Sequence, residues 1–95
     1  MITIWTESAL ADLAALHAYI SNDNPAAADA MLRRIVDLVD RQLPQMPESG
    51  RPGRVPKTRE LVISGSPYFV PYRVVGDTIA ILRVIHGARR WPDSD

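Results

Sequence analysis

The spacing of apolar residues in the first half of the chain predicts a short strand, Ile2–Trp5, followed by two amphipathic helices. Thr6 offers a hydroxyl N-cap for the first helix, and Asn24 followed by Pro25 is a strong start for the second. We expect Pro44 to end the second helix, because proline lacks the backbone N–H that a helix uses. The helical apolar positions are Leu10, Leu13, Leu16 or His17, and Ile20 in the first helix, with Asp12 on the other side, and Ala27, Met31, Ile35, Leu38 and Leu43 in the second.

The second half of the chain predicts a loop and then a three-stranded meander. Residues 44–58 hold four prolines and two glycines, a composition typical of a loop. Gly76-Asp77 is a two-residue hairpin signal, and Pro71 predicts a bulge or an unpaired position inside the middle strand. The expected strands are Arg59–Ser64, Tyr68–Val75 and Thr78–His86. The order β-α-α-β-β-β predicts one α+β domain over residues 1–95, with a helical hairpin packed on a small antiparallel sheet and a mobile tail at residues 92–95.

Alternation along the predicted strands makes both faces of the sheet largely apolar. A single helical hairpin covers only one of these faces, whereas a sheet with a solvated outer face should alternate polar and apolar residues. A large uncovered apolar face marks an interaction surface, so we expect a partner that adds a strand or lays down a helix. A homodimer, or a sheet curled over its own core, is the open alternative.

Three arginines share the strand face that carries Leu61, Ile63, Phe69, Ile79 and Ile81. They are Arg59, Arg73 and Arg83, one in each strand of the meander. If the strands pair in simple order, the guanidinium groups converge on one wall, where they suit bidentate recognition of carboxylate or phosphate. The open alternative is that they are solvated edge charges, or that they form internal salt bridges with Glu60 or Asp77.

The composition excludes several classes of protein. The 95 residues include no cysteine, so disulfides and thiolate metal sites are excluded, and the two histidines show no ligand spacing with the carboxylates. Without a membrane-length apolar run or a signal-peptide pattern, we expect a cytoplasmic protein that uses no cofactor or metal. Residues 50–90 carry eight bases against two acids, yet the net charge is zero, which disfavours direct nucleic-acid binding.

Several segments resemble the ParE branch of the RelE/ParE toxins, which are the toxin halves of bacterial toxin–antitoxin pairs. The resemblance covers essentially the whole chain and is most specific in the final segment HGARRWP, residues 86–92. The resemblance implies the same α+β fold as the residue pattern. The matching positions are Trp5, Ala9, Asp12-Leu13, Tyr19-Ile20, Asn24–Ala27, Gly50–Arg54, Thr58–Ile63, Pro67–Val74 and Ile81–Pro92.

The resemblance implies two protein partners. A ParD-type antitoxin would wrap the toxin and cover its second apolar face, giving a hetero-oligomer that reaches DNA only through the antitoxin. DNA gyrase would be the target, inhibited by protein binding. We expect antitoxin contacts at Arg59, Leu61, Ile63, Phe69, Arg73, Ile79, Ile81 and Arg83, and target contacts at Arg73, Arg83, His86, Arg89, Arg90 and Trp91.

The RelE branch instead cleaves mRNA on the ribosome, and this activity is the second candidate. Such cleavage needs a base, an acid and positive charge for the phosphate. Arg73 and Arg83 resemble the two family arginines, and His86 could serve as a base. Trp91 stands where the terminal tyrosine is expected, however, and an indole N–H does not titrate. We therefore expect no catalytic residue. A homologue that binds an antitoxin but poisons nothing is a third candidate.

Trp91 and the histidines also have plain structural interpretations. Trp91 either closes the core where the chain leaves the sheet or, with Arg89 and Arg90, forms an exposed anchor of the kind that dominates interfaces. Its position past the last strand favours the anchor. His86 has the alternative of a strand-end histidine bonded to backbone, and His17 is expected to be structural.

Overall fold

The computed structural model describes residues 1–92, in which a helical hairpin packs against one face of a mixed sheet. The predicted α+β class is confirmed, and the predicted elements appear in the predicted order. The helices are α1 (Glu7–Ser21), α2 (Pro25–Asp37) and α3 (Leu43–Gln45). The strands are β1 (Ile2–Trp5), β2 (Arg51–Pro52), β3 (Arg59–Val62), β4 (Tyr68–Val75), β5 (Thr78–Ile81) and β6 (Ile85–His86).

The sheet runs in the order β1-β5-β4-β3-β2, with β6 beside β4. β1 lies parallel to β5, with Ile4 opposite Ala80, and every other pairing in the described chain is antiparallel. The parallel pair arises because the chain between β1 and β5 crosses over through the helical hairpin and the meander. The sheet therefore keeps the predicted antiparallel meander and gains one parallel strand at its edge.

Local side chains start both helices, as predicted. The Thr6 hydroxyl accepts from the backbone N–H of Ala9 at 3.1 Å, and it donates to the carbonyl of Ile81 at 2.8 Å. The Asn24 side chain accepts from the N–H of Ala27 at 3.0 Å. Each cap satisfies one of the backbone donors that a helix start leaves without an internal partner. The Thr6 cap also ties the start of α1 to the end of β5.

Pro44 does not end the helix where the sequence predicts. A π-helical turn, Leu38–Gln42, follows α2, and the helix resumes as α3 with Pro44 inside it. The N–H of Leu43 bonds to the carbonyl of Leu38, five residues back. Such a widened turn accommodates a proline that would otherwise meet the carbonyl four residues before it.

The core lies between the helical hairpin and one face of the sheet. Ala9 is buried where Leu10, which the periodicity places in the core, is 52% exposed. In α2 the buried alanine is Ala28 rather than Ala27. The core residues are Ala9, Leu13, Leu16, Ile35, Val39, Leu43, Leu61, Ile63, Tyr68, Val70, Tyr72, Ile79, Ile81 and Val84.

A bulge interrupts the last strand opposite Pro71, whereas the sequence predicts the irregularity inside the middle strand itself. Tyr72 pairs with Ile81 and Phe69 pairs with Ile85, so the residues between the pairs are two on β4 and three on the facing strand. The carbonyl of Pro71 accepts from Leu82, but Pro71 has no N–H to return a bond. The bulge divides the predicted strand Thr78–His86 into β5 and β6. Beyond the bulge, the alternation of inner-face and outer-face residues is reversed, which the sequence does not predict.

The loop over residues 44–58 contains the end of α3 and the short strand β2, which the sequence reading did not predict. The Tyr72 hydroxyl fixes it, donating to the carbonyl of Pro47 at 2.8 Å and accepting from the N–H of Gly50 at 2.9 Å. Burial raises the pKa of Tyr72 above its ordinary value of 10.0, although the bond from Gly50 acts in the opposite direction. A Cβ at Gly50 would lie 2.6 Å from the Tyr72 ring, so this close approach requires glycine.

Two further predictions concern membrane spans and the tail of the chain. Within residues 1–92, the helices are too short or too polar to cross a membrane. The mobile tail predicted for residues 92–95 lies, apart from Pro92, outside the described residues.

Candidate functional site

The outer face of the sheet, which the helices leave uncovered, is divided into a closed half and an open half. Residues that are paired across strands point to the same face, so the register assigns the outer face without ambiguity. Phe69 and Ile85 on this face are 3% and 2% exposed, whereas Ile2 and Ile4 are 58% and 51% exposed. The predicted uncovered face therefore exists over only part of the sheet.

In the closed half, arginines of the loop over residues 50–57 cover Phe69, while Val62 beside it remains 48% exposed. The guanidinium carbons of Arg51 and Arg54 lie 5.5 and 5.3 Å from the centre of the Phe69 ring. Glu60, whose side chain is 1% exposed, accepts from Arg51 Nε at 3.0 Å and Nη2 at 2.9 Å, and from the backbone N–H of Arg54 at 3.0 Å. The buried carboxylate thus holds both arginines over the aromatic ring.

The open half is a patch formed by Ile2, Ile4, Arg73 and Val75, which we call the open patch. Arg73 pairs with Ala80, and Ala80 pairs with Ile4, so these residues lie side by side on the outer face. Val75 is 63% exposed and Arg73 is also exposed. The open patch is therefore apolar with one cationic group, at the side of the sheet where β1 presents an edge.

A second cluster of interacting residues lies where the bulge meets α1, on the side of the sheet that faces the helices. Arg83 Nε donates to Asp12 Oδ2 at 2.6 Å, and Arg83 Nη2 donates to Asp12 Oδ1 at 3.1 Å. The same carboxylate accepts from the backbone N–H of Val84 at 2.9 Å. The side chains of Arg83 and Asp12 are 22% and 14% exposed, so water screens this pair only partly.

The terminal segment, residues 87–92, leaves the sheet next to this cluster. The guanidinium carbon of Arg83 lies 6.0 Å from the centre of the Trp91 ring. Trp91 is partly buried, and its indole N–H is buried without a hydrogen-bond acceptor among residues 1–92. Its ring is therefore not the fully exposed anchor that the sequence reading favours. Arg89 and Arg90 are exposed beside it.

His86 stands at the start of the terminal segment, with its ring 5.5 Å from that of Tyr68 in an edge-to-face contact. The backbone N–H of Ala88 donates to His86 Nδ1 at 3.0 Å, which agrees with the alternative of a strand-end histidine bonded to backbone. A groove of about 350 Å³ runs between these residues and α1. Its lining includes Asp12, Leu16, Tyr19, Tyr68, His86 and Arg89.

The structure does not bring Arg59, Arg73 and Arg83 to one wall, so that part of the prediction is wrong. Arg73 is on the outer face, and Arg83 is bound to α1. Arg59 pairs with Tyr72, so it lies on the helix side, and it donates to the carbonyl of Gly50 at 2.8 Å. The meander forms, but the register between β3 and β4 puts Arg59 and Arg73 on opposite faces, and the bulge separates Arg83 from both.

The apolar residues predicted for antitoxin contact do not form one exposed surface either. Leu61, Ile63, Ile79 and Ile81 are core residues beneath the helices, each at most 5% exposed. Phe69 is on the outer face but lies under the two loop arginines. Of the predicted antitoxin set, Arg73 alone is exposed on the outer face among the described residues.

Sequence reasoning missed Asp12 as the partner of Arg83, and it named Glu60 as a partner for the strand arginines rather than for Arg51 and Arg54. Internal salt bridges stood as the alternative for Arg83, but the acid that binds it is Asp12, 71 positions away along the chain. A signal for Glu60 was available, because a carboxylate between apolar strand residues needs a cationic partner if it is buried. His17 is bonded to Asp29 at 2.7 Å between the two helices, which is the structural role expected for it. Within residues 1–92, no three His, Asp or Glu side chains group closely enough to hold a metal ion.

Comparison with known proteins identifies the same family as the resemblance. Residues 3–91 match the family described as the ParE toxin of the type II toxin–antitoxin system parDE. The chain is 47% identical to the protein Y4kP of Sinorhizobium fredii strain NGR234 over 88 residues, which cover 93% of this chain and 90% of that protein. It is 40% identical to Toxin RelE2 of Caulobacter vibrioides over 86 residues, which cover 90% of this chain and 94% of that toxin.

Two solved structures are similar in fold. A chain of the chromosomal ParDE toxin–antitoxin system from P. aeruginosa matches with a TM-score of 0.81 and 36% identity, covering 90% of this chain and 95% of that one. A chain of the RelBE2 toxin–antitoxin complex from Mycobacterium tuberculosis matches with a TM-score of 0.59 and 24% identity, covering 90% and 88%. The second match supports the fold alone.

The fold and the matched span together define the class of protein as the toxin of a type II toxin–antitoxin system. Within that class, the chain belongs to the ParE toxin family.

Proposed function

We propose that this ParE-family toxin acts by binding DNA gyrase and that a ParD-type antitoxin neutralises it. The observation that carries the proposal is the match to the ParE family over residues 3–91, which includes the terminal segment except for Pro92. The solved ParDE system from P. aeruginosa supports an antitoxin partner, since that neighbour is part of a toxin–antitoxin system. The toxin would work in the cytoplasm, where both partners are found.

The geometry of the site favours protein binding over RNA cleavage. An RNA-cleaving site needs a base, an acid and cations that meet at one phosphate. Arg73 lies on the outer face, while Arg83 is bound to Asp12 beside α1, so the two arginines do not face one point. The acceptor nitrogen of His86 already receives the N–H of Ala88, and this bond competes with any proton that a base would take.

A ribosome-dependent mRNA endonuclease is the second candidate, and the similarity to Toxin RelE2 favours it. Its residues would be Arg73, Arg83 and His86. For them to act together, the ribosome or the RNA would have to draw Arg83 away from Asp12. The cost of that step is high because a partly buried carboxylate would lose its bidentate partner.

A supercoiling assay separates the two candidates. Purified toxin should inhibit gyrase supercoiling of relaxed plasmid and leave ribosome-bound mRNA intact. Toxin preincubated with the antitoxin encoded beside it is the matched control, and it should leave supercoiling unchanged. Codon-directed cleavage of ribosome-bound mRNA without gyrase inhibition would replace the first candidate with the second, and the absence of both effects would favour a chain that binds an antitoxin but poisons nothing.

The antitoxin should dock on the open patch through an acidic amphipathic segment. Its apolar residues would cover Ile2, Ile4 and Val75, and an acidic group would meet Arg73. Arg73→Glu should therefore weaken binding of the cognate antitoxin about tenfold or more, because the reversed charge repels the acidic segment. Isothermal titration calorimetry measures this affinity.

Arg33→Glu is the matched control, since Arg33 is an exposed arginine on α2, away from the open patch. It should leave antitoxin affinity unchanged within a factor of about two or three. If the two variants weaken binding equally, or neither does, the antitoxin does not dock on the open patch.

A further inference from the structure

Asp12 joins α1 to the bulge, next to the point where the terminal segment leaves the sheet. Its carboxylate accepts from the backbone N–H of Val84 and from Nε and Nη2 along one edge of the Arg83 guanidinium. The acid of α1 thus holds the residues at which the chain passes from β5 to β6. Nothing in the sequence pattern of α1 suggests this role, because Asp12 falls on the polar side of the helix.

Arg83 transmits this constraint to the terminal segment. The plane of a guanidinium group is fixed when two of its nitrogens bond to the two oxygens of one carboxylate. Arg83 lies 6.0 Å from the centre of the Trp91 ring, so a fixed guanidinium gives Trp91 a fixed surface to pack on. The segment is also attached through the N–H of Gly87, which donates to the carbonyl of Pro67 at 2.6 Å, and through the turn around His86.

The bulge makes this arrangement possible. In an unbroken strand, Arg83 would follow the alternation of Ile79 and Ile81 and enter the core beneath the helices. The extra residue at Leu82–Val84 releases Arg83 from that alternation and places Val84 in the core instead. Bulges commonly re-aim a side chain in this way at functional positions.

We propose that Asp12 is a positioning residue for the toxic surface: it fixes Arg83, and Arg83 fixes Trp91 and the exposed arginines beside it in the orientation that the target recognises. The proposal rests on the proposed function and on the target contacts expected at His86, Arg89, Arg90 and Trp91. Asp12 itself does not touch the target. The antitoxin docks on the open patch, on the other face of the sheet, so its binding does not depend on the positions of Arg83 and Trp91.

The test compares Asp12→Asn with Asp37→Asn. Both variants remove one aspartate charge that pairs with an arginine, but the Asp37–Arg41 pair on α2 is exposed, with side chains 62% and 81% accessible. Asparagine at position 12 keeps the shape and one acceptor oxygen, but it cannot bind the guanidinium at two sites with full charge. Each variant is also made with Trp5→Phe, so that Trp91 is the single tryptophan of the chain.

Three measurements are made on the full chain. The toxin concentration that half-inhibits gyrase should rise about tenfold in Asp12→Asn, equivalent to about 1.4 kcal/mol. Quenching of Trp91 fluorescence by acrylamide should increase, with a red shift of emission, because the ring loses its fixed packing. Antitoxin affinity should stay within about threefold of wild type, since the two surfaces share no contact. Asp37→Asn should match wild type in all three.

The outcomes that overturn the proposal are distinct from those that overturn the function. If Asp12→Asn leaves both inhibition and Trp91 quenching at wild-type values, Asp12 positions nothing. If antitoxin affinity falls in parallel with inhibition, the variant acts through the stability of the fold, and a positioning role is excluded.

Growth inhibition on induced expression provides the link to the proposed function. If wild-type toxin kills cells without inhibiting gyrase, the proposed target is wrong, and the killing dose then replaces gyrase inhibition as the readout for Asp12. If deletion of residues 88–95 leaves killing intact, the terminal segment is not the toxic surface, and the proposal for Asp12 fails with it. Loss of killing in the deletion, with full killing by Asp12→Asn, overturns the Asp12 proposal alone.

Discussion

Replacing Ile81 with alanine should lower the free energy of unfolding by about 3 kcal/mol, within the range of about 2–5 kcal/mol measured for such truncations in packed cores. Ile81 is fully buried between the helical hairpin and the sheet. Truncating its side chain therefore leaves a cavity, which the surrounding residues fill only in part. Urea denaturation monitored by circular dichroism measures the change, and the dependence on urea concentration should keep its slope.

Ile4→Ala is the matched control, because Ile4 belongs to β1, the strand next to β5, but lies on the outer face and is 51% exposed. The same truncation there should cost less than about 1 kcal/mol. The pair of variants tests the assignment of the two sheet faces. The sequence predicts Ile81 on the face that the antitoxin covers, whereas the structure places it in the core beneath the helices. Equal costs at the two positions would contradict the fold described above.

The parts of the fold that depend on neighbouring residues could be predicted from the sequence. Thr6 and Asn24 cap their helices because a side-chain oxygen reaches a backbone donor three residues away. Gly76 takes a φ of 61° in the hairpin between β4 and β5, as the Gly-Asp pair predicts. In each case the cause and its effect are a few residues apart.

The consequences of the bulge could not be predicted in the same way. The position of Pro71 indicates an irregularity, but it does not say on which strand the extra residue falls or how far the alternation shifts. The extra residue is at Leu82–Val84, and it moves Ile85 to the outer face. For this reason the predicted grouping of Ile79, Ile81, Arg83 and Ile85 on one face is wrong.

The candidate site depends on contacts between distant residues, and this is why sequence reasoning found its residue types but not its geometry. The terminal basic segment was recognisable from the family resemblance. The pairing of Arg83 with Asp12 spans 71 positions, and the helical periodicity places Asp12 on the polar side of α1 without indicating a partner for it. Similarly, the loop arginines appeared as part of a basic half, whereas their neighbour Glu60 turns them into a cover for the sheet.

The double variant Arg51→Ala/Arg54→Ala should lower the free energy of unfolding by about 3 kcal/mol, because it leaves the Glu60 carboxylate buried without a cation. The cost stays at the low end of the range for broken buried pairs, since water can enter the space that two half-exposed arginines leave. The same variant uncovers Phe69, so the closed half of the outer face should become accessible.

Glu60→Gln is the companion variant, and the comparison between the two measures what closes the outer face. An amide at position 60 can still accept from Arg51, and both arginines are half exposed and can be hydrated, so the cost should be only about 1 kcal/mol. Denaturation in urea gives both values, and binding of a hydrophobic dye reports the exposure of Phe69. If Glu60→Gln lowers the free energy of unfolding more than the double variant does, the loop is held over the sheet mainly by the buried carboxylate and not by the contact of the arginines with the Phe69 ring. If the double variant unfolds no more readily than wild type and binds no more dye, the loop does not seal this half of the sheet, and an antitoxin would have the whole outer face available.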